Sequence, residues 1–180
     1  MERHRLVFSG FGGQGIITSA VILAEAAVLY ENLIAVQTQS YGAAARGGAT
    51  RSDVIISDSA IYFPKVNQPN VLICLTQEAY NKFNPIIRPG GLLITDTRYV
   101  KTHMKVDARQ RELPMYQSVM DKIGKPIVLN ICMLGALIGI TDLVKSESII
   151  NVLKTRIPSE FLEINEKALA LGITLGNAYK

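Results

Sequence analysis

Two glycine clusters are the residues best suited to do chemistry in this chain. Gly10-Phe11-Gly12-Gly13-Gln14-Gly15 has the spacing G-x-G-x-x-G, follows a strand-like run and opens a helix-like one. In that setting Gly10 permits a tight turn, Gly12 lets backbone approach a ligand, and Gly15 lets helix and strand pack closely. The free amide groups at the start of the helix then face any bound anion. The second cluster, Ser40-Tyr41-Gly42-Ala43-Ala44-Ala45-Arg46-Gly47-Gly48, combines small residues with a single long cation. Gly42, Gly47 and Gly48 allow close backbone approach, and the planar fork of Arg46 suits a carboxylate or phosphate. Gly10, Gly12, Gly13, Gln14, Gly15, Tyr41, Gly42, Arg46, Gly47 and Gly48 are therefore the candidate binding residues.

One test for a dinucleotide site fails. A NAD site calls for an acidic residue at the end of the second strand, to bond the ribose hydroxyls. No carboxylate occurs between Glu31 and Asp53. The glycine loop thus has three open readings: dinucleotide binding, turning and packing alone, or a backbone surface for a ligand or neighbouring subunit. No G-x-S-x-G is present, and neither His4 nor His103 belongs to a motif that would mark it as a base. No catalytic residue is assigned. Cys74 and Cys132 are widely separated within apolar segments and form no Cys-x-x-Cys, so this chain's cysteines alone build no zinc or iron–sulfur site.

The elements that position these loops follow from hydrophobic periodicity. Residues 5–9 and 33–38 read as strands flanking a helix over 16–30. The alternating runs 52–57 and 60–63 leave no room for a crossover helix and are expected to form an antiparallel hairpin. The apolar runs 71–75 and 92–96 read as strands buried on both faces, with a short helix over 77–83 between them. Residues 100–113 are polar and read as irregular. Helices are expected over 127–140, after Ser146, and from Pro158 to Leu171, the last with Gly172 beyond its end. The sum is an α/β fold: a Rossmann-like, mostly parallel sheet with an antiparallel hairpin (52–63) and C-terminal helices, in one domain covering 1–180. In such a sheet the loops after the first two strands meet at one crevice, so both glycine clusters face one site.

Composition sets the outer bounds. The chain has 180 residues, 48% of them hydrophobic and 19% charged, and a formal net charge of +4. Mean hydropathy is +0.22. Such a chain can bury a full core, which excludes disorder. Its longest apolar stretch is shorter than the ~20 residues of a membrane span, and the N-terminus lacks a signal-peptide pattern. A cytoplasmic location and no membrane partner are expected. Arg98, Lys101, Lys105, Arg109 and Arg111 concentrate positive charge, but aromatics that could stack bases are scarce, so nucleic acid is not an expected partner.

Together, Gly10–Gly15, Thr38-Gln39-Ser40-Tyr41-Gly42 and Arg46-Gly47-Gly48 closely resemble the gamma subunit of 2-oxoacid:ferredoxin oxidoreductases, a unit that also occurs as one domain of single-chain pyruvate:ferredoxin oxidoreductase. The likeness continues through Ser52–Ser57 and Asn130-Ile131-Cys132-Met133-Leu134-Gly135-Ala136 and so spans most of the chain. It implies an assembly that oxidatively decarboxylates a 2-oxoacid onto coenzyme A and passes electrons to ferredoxin. No Gly-Asp-Gly followed by paired asparagines is present for thiamine diphosphate and magnesium, and two cysteines cannot hold a cluster. The resemblance therefore implies that thiamine diphosphate, magnesium and iron–sulfur clusters sit on partner chains, with coenzyme A as co-substrate and ferredoxin contacted indirectly. Within the family, the Tyr41-Gly42-Ala43-Ala44-Ala45-Arg46 form is most like subunits acting on 2-oxoglutarate, with pyruvate and branched-chain or aryl 2-oxoacids as the other options. A subunit of this kind hides surface in its assembly. In isolation it is expected to self-associate, as in a homodimer, or to bind partners through the glycine-loop face and the late helices. A free-standing nucleotide- or dinucleotide-binding protein and a purely structural subunit are the alternatives.

Overall fold

The computed structural model describes residues 3–40, 49–103 and 107–180. Six strands form one sheet in the order β2-β3-β1-β4-β5-β6. They are β1 (His4–Gly10), β2 (Ile34–Gln39), β3 (Thr50–Ser57), β4 (Val71–Cys74), β5 (Gly91–Asp96) and β6 (Ala108–Leu113). β1, β4, β5 and β6 pair in parallel. β3 lies antiparallel to both β1 and β2, with Val7 opposite Asp53 and Gln37 opposite Val54. β3 is thus the single reversed strand among those described, and the sheet is mostly parallel as expected.

The alternation of each buried strand divides its side chains between two cores. Leu6, Phe8, Ile73 and Ile94 face a thick helical layer. It contains α1 (Ile16–Tyr30), α3 (Met115–Lys122), α4 (Leu129–Thr141), α5 (Ser146–Arg156) and α6 (Ser159–Asn177). Val7, Leu72 and Leu93 face a thinner layer, in which Tyr80 and Phe83 come from α2 (Gln77–Phe83) and Val66 from an irregular segment. Burial on both faces explains the unbroken apolar runs 6–8 in β1, 71–74 in β4 and 92–94 in β5.

Three expectations are corrected. Residues 60–63 form no strand and the hairpin does not close. Both edges of β3 are already taken by β1 and β2, so no backbone edge is left for a further partner. Residues 108–113, read as irregular, are β6. This strand lies at the sheet edge with most of its side chains exposed or half-buried, so it carries no apolar run to betray it. Finally, the last helix does not stop before Gly172 but runs on to Asn177. The helix α3 also escaped the sequence reading.

Gly172 stays inside α6 because its missing side chain lets α6 press against α4. A Cβ at Gly172 would lie 1.9 Å from the Cys132 carbonyl oxygen. The same is true of Gly135 against Leu169 O (2.3 Å), Gly139 against Ile173 O (2.7 Å) and Gly176 against Ala136 O (2.3 Å). Paired small-x-x-x-small spacings on both helices therefore set a backbone-to-backbone contact. The helix α5 is anchored from a distance. Its N-terminus has no capping side chain of its own, and Glu31, just after α1, accepts hydrogen bonds from the Lys145 N–H (2.8 Å) and the Ser148 hydroxyl (2.6 Å) instead.

Candidate functional site

β1 ends at Gly10, and the chain turns at once into the glycine loop. The Gln14 N–H donates to the Phe11 carbonyl at 3.1 Å, while Gln14 Oε1 accepts from the Phe11 N–H at 2.7 Å. Gln14 Nε2 also reaches the Leu75 carbonyl at the end of β4, at 3.4 Å. Gln14 is thus the internal strut of the loop.

The glycines divide by role. Gly13 (φ +94°) and Gly15 (φ +74°) take left-handed conformations that favour glycine. Gly10 does not, but a Cβ there would sit 2.5 Å from Gln14 Oε1 and 3.0 Å from Ile16 Cδ1. Gly15 abuts the Asn130 side chain of α4, 2.5 Å from where its Cβ would be, so its close neighbour is a second helix and not the strand expected from the motif. Gly12 is different. The nearest atom to a Cβ there is Thr50 Oγ1 at 3.7 Å, an ordinary contact, and its φ is not left-handed. Neither packing nor backbone conformation requires glycine at position 12.

The loop delivers the chain into α1 with Gly15 at the cap position and no side chain capping the helix. The first helical bond runs from Ser19 N–H to Gly15 O at 2.9 Å, so the N–H groups of Ile16, Ile17 and Thr18 point out of the helix end. They line a cleft of about 510 Å³, together with Phe11, Gly12, Gly13, Gln39, Ser40 and Thr50. Phe11 and Ile17 keep 59% and 38% of their surface exposed, which gives the cleft an apolar wall next to a partly positive helix end. The cleft lies at the carboxyl ends of β1 and β2, where ligands bind in open α/β sheets.

Tyr41, Gly42, Arg46, Gly47 and Gly48 lie outside the described residues. Their flanks are described: Ser40, whose N–H donates to Arg51 O at 3.1 Å, and Thr50 both line the glycine-loop cleft. The structure therefore brings the first glycine loop and both ends of the second to one site.

Chemically the cleft is a binding surface. Among the described residues its polar side chains are the hydroxyls of Thr18, Ser40 and Thr50 and the amide of Gln39, and none of the described lining residues is an acid, a base or a thiol. Among the described residues no group of three or more His, Cys, Asp or Glu is placed to hold a metal ion. Burial pushes the thiols of Cys74 and Cys132 up to about 12, so neither is a nucleophile at neutral pH. Asp96, at the end of β5, is fully buried and burial raises its carboxyl above the usual range, although N–H groups of Tyr116 (2.7 Å) and Arg98 (2.8 Å) oppose that rise. Its work is to hold the start of α3.

Beside the glycine-loop cleft, a second hollow is built on a pair that sequence reasoning missed. Arg51 and Asp53 face the same side of β3 and pair through Nε–Oδ1 at 2.6 Å and Nη2–Oδ2 at 2.9 Å. The signal was available: residues two apart on a strand share a face.

A Rossmann-like α/β scaffold with a cleft at the carboxyl ends of β1 and β2, beside an uncapped helix start, defines the class. Residues 5–175 match the family model "Pyruvate ferredoxin/flavodoxin oxidoreductase". The 2-oxoglutarate synthase subunit KorC of Methanocaldococcus jannaschii is 45% identical over 172 residues, covering 94% of this chain and 92% of that protein. The keto/oxoacid ferredoxin oxidoreductase gamma subunit of Geobacter sulfurreducens superposes with a TM-score of 0.91 at 37% identity, covering 100% of this chain and 99% of the other. The 2-oxoglutarate:ferredoxin oxidoreductase of Magnetococcus marinus, solved with 2-oxoglutarate, coenzyme A and succinyl-CoA, shares the fold: TM-score 0.89 at 22% identity, over 100% of this chain and 32% of that one. The chain belongs to the pyruvate ferredoxin/flavodoxin oxidoreductase family. No helix among the described residues is long and apolar enough to cross a membrane.

Proposed function

We propose that this chain is the gamma-type subunit of a 2-oxoglutarate:ferredoxin oxidoreductase, folded as one domain over 1–180. It assembles with thiamine diphosphate-binding and iron–sulfur chains to convert 2-oxoglutarate and coenzyme A into the acyl-CoA and carbon dioxide, while two electrons pass to ferredoxin. The 45% identity to a 2-oxoglutarate synthase subunit over nearly the whole chain supports this substrate. Thiamine diphosphate, magnesium and the clusters supply the carbanion and electron-transfer chemistry from the partner chains. This chain contributes binding and placement.

The observation that carries the proposal is the cleft between the start of α1 and the two flanks of the second glycine loop. Its helix-end N–H groups fit an anionic group, and its apolar wall of Phe11 and Ile17 fits an uncharged arm. Coenzyme A offers both features. Gly10, Gly12, Gly13, Gln14 and Gly15 form the backbone surface, while Tyr41, Gly42, Arg46, Gly47 and Gly48 close on the same ligand or on the chain that presents it. Arg46 supplies the full positive charge that the helix end lacks.

The test is reconstitution. The chain is co-expressed with its partner subunits, and 2-oxoglutarate-dependent ferredoxin reduction is measured with and without coenzyme A, against pyruvate and 2-oxoisovalerate. Activity that needs this chain and favours 2-oxoglutarate supports the proposal. Full activity without the chain, or a preference for another 2-oxoacid, overturns it. The Gly12 position then separates ligand contact from scaffolding, since packing does not require glycine there.

A further inference from the structure

The segment between β3 and β4 forms no strand, yet it is held in place by buried machinery. Val66 is 1% exposed. Its N–H donates to Asp53 Oδ2 at 3.2 Å, and its carbonyl accepts from Arg51 Nη2 of the same ion pair. Arg3 Nη2 donates to the Ala60 carbonyl at 2.9 Å, and the Thr38 hydroxyl donates to the Pro64 carbonyl at 3.5 Å. An ion pair shielded from water is a costly device for ordering a surface loop. What the ordered segment presents is two adjacent aromatics, Tyr62 at 91% and Phe63 at 60% exposure.

Phe63 also walls a hollow of about 830 Å³ whose charged lining, among the described residues, is Arg5, Lys65 and Arg88. Arg5 and Arg88 bring the hollow to the amino ends of β1 and β5, whereas the glycine loop follows the carboxyl end of β1. Arg5 is half-buried. Among the described residues, neither its guanidinium nor the Lys65 ammonium has an acidic partner. The Arg5 and Lys65 cations, with no carboxylate among the described lining residues, favour a negatively charged occupant. An exposed aromatic pair beside arginines has the composition of an interface anchor.

We propose that Tyr62, Phe63 and the hollow of Arg5, Lys65 and Arg88 form a docking surface for an acidic face of another subunit of the same enzyme. The aromatic pair is pre-ordered by the Arg51–Asp53 clasp, so docking need not first immobilise the segment. The inference rests on the chain's being a subunit of a 2-oxoacid oxidoreductase assembly. It places one contact of that assembly outside the glycine-loop cleft, at a hollow that shares none of that cleft's lining residues.

The experiment measures binding of this chain to the purified complex of its remaining subunits by biolayer interferometry, at low and high salt. A chain carrying Tyr62→Ser, Phe63→Ser and Lys65→Glu changes only exposed side chains, and an unchanged thermal melt confirms its fold. At least a tenfold rise in Kd is expected, with weaker salt dependence than the wild type. Wild-type affinity in this variant overturns the surface while leaving the subunit assignment intact. Failure of the wild-type chain to bind those subunits overturns both. A parallel titration with ADP serves as the small-molecule arm. Saturable ADP binding lost with Lys65→Glu would reassign the hollow to a phosphorylated ligand and overturn the docking proposal.

Discussion

Replacing Gly172 by alanine sets two effects of opposite sign against each other. Helix propensity alone predicts a gain of about 1 kcal/mol for Gly→Ala inside a helix. The structure predicts a loss. The new Cβ would lie 1.9 Å from Cys132 O and 2.8 Å from Ala136 N, both backbone atoms of α4 that no rotamer change can move. Restoring an ordinary carbon contact of ~3.5 Å would part the helices by about 1.5 Å, enough to forfeit more than half of each close contact along the seam. That seam includes Gly135, Gly139 and Gly176, each already within 2.7 Å of backbone at its absent Cβ. Overpacking of a tight core costs about 1–3 kcal/mol, occasionally more, and relief through the backbone belongs at the upper end. After the propensity gain, a net loss of about 2 kcal/mol remains, equivalent to a fall in Tm of roughly 4–8 °C for a chain of this size. Urea unfolding followed by far-UV circular dichroism would read it as a lower midpoint at unchanged m-value. A Gly172→Ala protein as stable as the wild type, or more so, would refute the argument and return this position to the helix end expected from sequence.

Other outcomes follow from the site and its supports. Arg46→Ala in the assembled enzyme should raise the KM for coenzyme A, or lower turnover, by roughly 10–100-fold, with only partial recovery in Arg46→Lys because the planar fork is lost; unchanged kinetics would make Arg46 a surface residue. Gly12→Ala should leave the melting temperature within a few degrees, since a Cβ there would meet nothing nearer than Thr50 Oγ1 at 3.7 Å, while damaging coenzyme A-dependent activity; loss of stability without loss of activity would mark the loop as scaffold. Glu31→Ala should cost about 1 kcal/mol, the value of a helix cap. Burial pushes the Glu31 carboxyl up, but hydrogen bonds from Ser148 and Lys145 outweigh it and leave it below its ordinary 4.5. Its contribution is therefore complete above that value and is lost as pH falls through the lower folded one, so the wild-type–variant difference should shrink in acid titrations. Thiol labelling of the native chain at neutral pH should be slow at both Cys74 and Cys132, which are buried with pKa values of about 12, and fast once urea unfolds it.

The elements legible in the sequence are those whose local pattern and tertiary surroundings agree. The glycine loop, α1 and the runs that became β1, β4 and β5 carry strong periodicity or are buried on both faces, and their positions follow within a residue or two. That the first glycine loop and the residues flanking the second, Ser40 and Thr50, share one crevice was likewise readable, because strand–loop–helix order fixes where such loops begin and end. The sequence by itself determined the fold class, the family likeness and the candidate loops. Tertiary structure alone decided where a local pattern had more than one answer. Residues 60–63 alternate like a strand, but β3 had no free edge to offer them. Residues 108–113 show no apolar run, yet β5 had an edge free and paired with them. Gly172 has the look of a helix stop, but the α4 backbone lies where its side chain would be, so the helix continues because glycine is there. The division of roles within G-x-G-x-x-G was also beyond the sequence. Gly10 and Gly15 are held by Gln14 and Asn130, while Gly12 is free, and only the distance to neighbours brought in from elsewhere in the chain distinguishes them.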